Sequence, residues 1–182
     1  MENGTLPEYI AKNPTIDRPE LCAQISTGLA YMHTSGVVHG DIKGANILIS
    51  VSGLPKLSDF GNAVLKKYTL QFTGGTSSLN AERAQHRLRD CFTKEADVFG
   101  LGMVFYEVLT GKLPFHDKLE HAVCALIIGG KTPGVPIYTQ NPEESVNLLG
   151  YVMYDCWSFD ARDRPSASQV KQQLRGVDGS AA

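Results

Sequence analysis

Chemistry-bearing side chains crowd into one stretch, His39-Gly40-Asp41-Ile42-Lys43-Gly44-Ala45-Asn46, and thirteen residues past Asn46 comes Asp59-Phe60-Gly61. Two carboxylates and an amide oxygen are hard ligands of the kind Mg²⁺ takes. A lysine among them offers a compact positive charge to a phosphate. A carboxylate not committed to metal can orient a hydroxyl and accept its proton. Phosphoryl transfer asks for little beyond such positioning and charge neutralisation.

The flanking sequence must hold these groups in place. Asn3-Gly4 through Pro14 reads as a turn-rich opening. Asp17, with Glu20 three residues on, predicts a capping box and a helix whose buried stripe is Leu21, Ile25, Leu29 and Met32, ended by Gly36. Val37-Val38, Ile47-Leu48-Ile49 and Lys56-Leu57-Ser58 read as short strands around the polar loop, with a turn at Ser52-Gly53. Residues 59–90 read as a long functional loop. The second half predicts four helices: Thr93 to Thr110, one from Asp117 to Gly129-Gly130, one from Asn141-Pro142 through Cys156, and a short one opened by Ser166 and Gln169. The expected class is mainly α with a few short β-strands.

H-x-D-x-K-x-x-N followed by D-F-G resembles the catalytic core of eukaryotic protein kinases. Further ordered matches are Gly75-Thr76 with Ala81-Glu82, Asp97 to Gly102, Gly111 to Phe115, Cys156-Trp157 and Arg162-Asp163-Arg164-Pro165. Met1 to Leu6 resembles the end of the hinge between the two lobes of that family. The resemblance implies a partial kinase domain over residues 1–175, namely the hinge end and the C-terminal helical lobe with the N-lobe absent, followed by a flexible tail, 176–182. It implies that Asp41 accepts the substrate hydroxyl proton and that Lys43 steadies the γ-phosphate of ATP. Asn46 and Asp59 would hold Mg²⁺, Leu48 would floor the adenine pocket, and the Met1 backbone would bond adenine. Thr76 would bind the substrate-side loop, and Asp97 would brace the backbone at His39-Gly40. Lys43 and the character of Cys156-Trp157 place the likeness nearest the tyrosine-kinase-like group of Ser/Thr kinases. The implied substrate is a Ser or Thr of a protein.

Three departures from the family pattern set further expectations. Gly40 stands where the family carries an Arg that reads activation-segment phosphate, so activity independent of phosphorylation at Thr69, Thr73, Ser77 or Ser78 is expected. The family's Ala-Pro-Glu reads Ala81-Glu82-Arg83, and a Glu82–Arg164 ion pair is expected because an unpaired buried charge is costly. No G-x-G-x-x-G nucleotide loop occurs in the 182 residues. A truncated chain of little activity alone is therefore expected, its interlobe face needing the missing N-lobe or a partner as cover. The alternative class is a non-catalytic, kinase-like interaction module.

Composition bounds the rest. With 182 residues and 42% apolar content, the chain suits one folded core without staples. A net charge of −2 argues against nucleic acid as partner. No stretch reads as a signal peptide or a membrane span; the apolar run Val98 to Leu109 contains glycines and Glu107, which reads as a buried helix. Cys22, Cys91, Cys124 and Cys156 are scattered, with no zinc or disulfide spacing. They predict a reducing, cytoplasmic setting. His121 and Cys124 read as core packing, and Arg83, His86, Arg87 and Arg89 as a solvated basic loop.

Overall fold

The computed structural model describes residues 2–62, 64–65, 92–135 and 144–175. Met1, residues 66–91 and the tail 176–182 lie outside them, and with them the readings for Thr76, the Glu82–Arg164 pair, the phosphorylatable Thr and Ser residues and the basic loop.

The helices are α1 (Leu6–Lys12), α2 (Arg18–Thr34), α3 (Lys94–Thr110), α4 (Glu120–Ile128), α5 (Glu144–Cys156) and α6 (Ala167–Arg175). The strands are β1 (Val37–Val38), β2 (Ile47–Ile49), β3 (Pro55–Leu57) and β4 (Val64–Leu65). They form two antiparallel ribbons, β1 with β4 and β2 with β3. The protein is thus mainly α with a few short strands, as expected.

α3 is the central helix. Val98, Leu101, Val104, Phe105, Val108 and Leu109 are all buried, so apolar residues cover more than one of its faces. Thr93 caps its start by accepting from the Ala96 N–H at 3.1 Å. Gly111, at φ 68°, closes its end in the left-handed region that glycine adopts freely. Arg18 reaches across from α2 and donates to the carbonyls of Val108 and Leu109, placing a cation at the negative end of the helix. α2 and α5 pack on α3, α6 packs in turn on α2 and α5, and Leu29, Ile47, Leu149, Met153 and Val170 complete one continuous core.

Several boundaries differ from the sequence expectation. The turn-rich opening contains α1, because Pro7 falls in its first turn, where a missing N–H costs nothing, and Glu8 accepts from the Thr5 N–H at 2.8 Å. Asp17 caps α2 through the Glu20 N–H at 2.9 Å, but the Glu20 carboxylate turns to Gln24, so only half the capping box forms. The α2 stripe continues through buried His33 while Met32 is half-buried. α4 begins at Glu120, since residues 114–117 turn and Phe115 sits at φ 54°. β3 ends at Leu57, and a 3₁₀ turn, Phe60–Asn62, and β4 occupy the start of the segment read as loop. The Ser166–Gln169 box forms in full, at 2.8 and 3.2 Å.

Candidate active site

The loop between β1 and β2 is suspended from α3. Asp97, 2% exposed near the start of that helix, takes the His39 N–H on Oδ2 and the Gly40 N–H on Oδ1, both at 2.8 Å. Its Oδ2 also accepts from His33 Nε2 of α2 at 2.8 Å. One carboxylate therefore joins two helices to the loop, and the brace implied for Asp97 is present. Gly40 lies at φ 78°, a conformation strained for any side chain. The approach is close: a Cβ on Gly100 of α3 would stand 2.8 Å from the Ile42 carbonyl oxygen.

His39 is fully buried and both ring nitrogens are occupied. Nδ1 accepts from the Asp41 N–H at 3.3 Å and Nε2 donates to the Ser58 carbonyl at 2.9 Å. That bonding makes His39 a scaffold and leaves no nitrogen for proton transfer. The Phe60 ring rests on it with centroids 5.4 Å apart, yet Phe60 is 53% exposed.

Asp41 is the focus. Its Oδ2 accepts from Lys43 Nζ at 2.7 Å and from Asn46 Nδ2 at 2.9 Å. Partial burial pushes its pKa up, but the hydrogen bonds from Lys43 and Asn46, with the charge of Lys43, outweigh that and hold it below the ordinary aspartate value. Asn46 also donates from Nδ2 to the Asp41 carbonyl at 2.9 Å. With both amide protons turned to Asp41, its Oδ1 is left as an acceptor.

The second group is tied to the first by backbone. Ser58 donates to the Asn46 carbonyl from both N and Oγ, each at 2.9 Å, which anchors the residue before Asp59 to Asn46, while Asp59 Oδ1 accepts from the Gly61 N–H at 3.4 Å. Asp59 is exposed and sits at φ 62°, an uncommon conformation for a non-glycine residue and one that recurs at functional sites. Leu48 lies on β2, half-buried between buried Ile47 and Ile49. Its strand is pinned by the N-terminal segment, where Ile49 N–H donates to the Gly4 carbonyl at 2.9 Å and Asn3 donates to Ser50 at 2.7 Å. The structure thus gathers Asp41, Lys43 and Asn46 by direct bonds, and fixes Ser58, the neighbour of Asp59, to Asn46. Met1 lies outside the described residues.

The donor set suits a hard divalent cation: an amide oxygen and a carboxylate, with an exposed ammonium nearby for phosphate. No group of three or more His, Cys, Asp or Glu side chains forms a separate metal cluster among the described residues. Sequence reasoning missed Glu107, which is buried under Gly44 of this loop. Its signal was available: a single carboxylate within the apolar run of α3.

The sequence model of the protein kinase domain matches residues 1–174. The chain belongs to the protein kinase family. It is 30% identical over 188 residues to serine/threonine-protein kinase STY46 of Arabidopsis thaliana, covering 97% of this chain and 31% of that protein. It is 33% identical over 157 residues to serine/threonine-protein kinase PrkC of Bacillus subtilis, covering 82% of this chain and 24% of that protein. It is also similar to a protein kinase and PP2C-like domain-containing protein of Arabidopsis thaliana, at 29% over 213 residues, covering 97% and 32% of the two. The chain spans about a third or less of the length of these relatives.

Proposed function

We propose that these residues are the catalytic lobe of a Ser/Thr protein kinase, moving the γ-phosphate of ATP to a Ser or Thr hydroxyl of a protein. The observation that carries this reading is the Asp41 carboxylate held between Lys43 Nζ and Asn46 Nδ2, with Ser58, the neighbour of Asp59, bonded to the Asn46 carbonyl. Relatives that carry Ser/Thr kinase names support the hydroxyl class.

Asp41 orients the attacking hydroxyl and takes its proton as the new oxygen–phosphorus bond forms and the bond from the γ-phosphorus to the bridging oxygen breaks, releasing ADP. Its depressed pKa keeps it ionised, and so ready to accept, across the neutral range. Lys43, half exposed on Asp41, is free to swing its ammonium to the transferring phosphate. Asn46 Oδ1 and the Asp59 carboxylate would hold Mg²⁺, which neutralises charge on the phosphates when bound. Leu48 floors the adenine site, and the Met1 backbone supplies its polar contact.

Phe60, 53% exposed above buried His39, marks an apolar face that a second lobe or a partner covers. Among the described residues no helix is long and apolar enough to cross a membrane. Free thiols at Cys22, Cys124 and Cys156 suit a reducing, cytoplasmic setting.

Asp59→Asn tests the reading. Kinase activity of the full-length protein, titrated with Mg²⁺, is expected to need about tenfold more metal or to be lost. An unchanged Mg²⁺ dependence would remove Asp59 from the site.

A further inference from the structure

Glu107 takes no part in the chemistry above, yet it is 7% exposed. It sits in the last turns of α3, ten residues beyond Asp97 on the same helix. Its carboxyl faces the backbone N–H of Gly44, whose pull favours the ionised form. Its Oε2 stands 2.2 Å from where a Cβ on residue 44 would lie, and Pro7 of α1 packs 3.3 Å from the same point. Burial pushes its pKa up to about 7 against the pull of the Gly44 N–H, so the fold keeps a carboxyl where an apolar side chain would be less costly.

What that carboxyl holds is the downstream half of the loop. Gly44 opens the 3₁₀ turn Gly44–Asn46, directly after Lys43. Lys43 and Asn46 are the two groups that bracket Asp41. Asp97 fixes the upstream half at His39 and Gly40. The loop hangs from two acidic side chains of one helix, one on each side of Asp41. We propose that Glu107 is a positioning residue which, with Gly44 as the only residue small enough to receive it, sets the span Lys43–Asn46 and hence the geometry around Asp41. The catalytic consequence rests on the kinase reading above; the structural one does not.

Hydrogen exchange and kinetics on the full-length protein separate the two. In Glu107→Ala, amides of the peptide Ile42–Ile47 are expected to exchange about tenfold faster or more, while core amides of α2 stay within about threefold, and kcat falls about tenfold or more. Glu107→Gln keeps the acceptor and the shape, and is expected to return both readouts to within about threefold of the parent protein. Unchanged exchange of Ile42–Ile47 in Glu107→Ala, or Glu107→Gln as impaired as Glu107→Ala, overturns the proposal. Should Glu107→Ala fail to fold, Gly44→Ala makes the same test from the other partner, since its Cβ expels the carboxyl. Faster exchange of Ala45–Ile47 in that variant supports the lock, and unchanged exchange overturns it. A parent protein that transfers no phosphate leaves the exchange result decisive for Glu107 and counts against the kinase reading alone.

Discussion

At Asp41, two neighbours, Lys43 and Asn46, decide one protonation state. Lys43 lies closest, so its removal has a defined sign. Lys43→Ala takes away a hydrogen bond and a positive charge, both of which favour the carboxylate, and the Asp41 pKa rises. The acid limb of the kcat/KM profile is then expected to move to higher pH, as read from rates between about pH 4 and 8. A limb that stays in place would mean that Lys43 does not govern this carboxyl. Glu107 carries the opposite sign. Its folded pKa, pushed up to about 7, lies above the ordinary glutamate value of 4.5. The folded state therefore binds a proton that the unfolded chain has released, and this contribution to stability is lost as pH rises through that window. Between about pH 5.5 and 7.5 the parent protein is expected to lose about 2 kcal/mol relative to Glu107→Gln, measured by urea unfolding. Equal pH slopes for the two proteins would contradict the shift. The difference in legibility between these residues has a physical cause. Asp41, Lys43, Asn46 and Asp59 are close in sequence, and their side chains announce their chemistry. Glu107 acts on a backbone N–H sixty-three residues away, and only its solitary charge in an apolar run hinted at it.

The elements follow the same rule. α3 was readable almost to the residue, because caps and helical apolar periodicity are local signals: Thr93 and Gly111 bound it as expected. α1 was not, since Asn3-Gly4 and Pro7 are turn-formers by composition and only their placement outside and at the first turn permits a helix. β1 was read at Val37-Val38, but β4, two residues long, is too short to show a period-two pattern, and the pairing of the two is a long-range fact. α3 carries both suspension points of the loop, so its packing reaches the site. Phe105 is fully buried between them. Phe105→Ala is expected to destabilise the protein by about 3–5 kcal/mol in denaturant unfolding. A loss below about 1 kcal/mol would mean that α3 is not the core's central element.

For the molecule as a whole, composition allowed a single core, and the structure builds one around α3. The motifs then decide what that core is for. The proposed kinase C-terminal lobe would account for a scaffold histidine with an exposed Phe60 above it, and for a loop suspended from α3 beside them. The central claim is that the Asp41 cluster runs Mg²⁺-dependent phosphoryl transfer. Its most direct test follows transfer of label from γ-labelled ATP to Ser-, Thr- and Tyr-containing peptides by the full-length protein and its Asp41→Asn variant. The account predicts label on Ser and Thr peptides only when Mg²⁺ is present, reduced by about 100-fold or more in Asp41→Asn. Equal rates in the two proteins, or no transfer by a parent protein that binds MgATP, would contradict it.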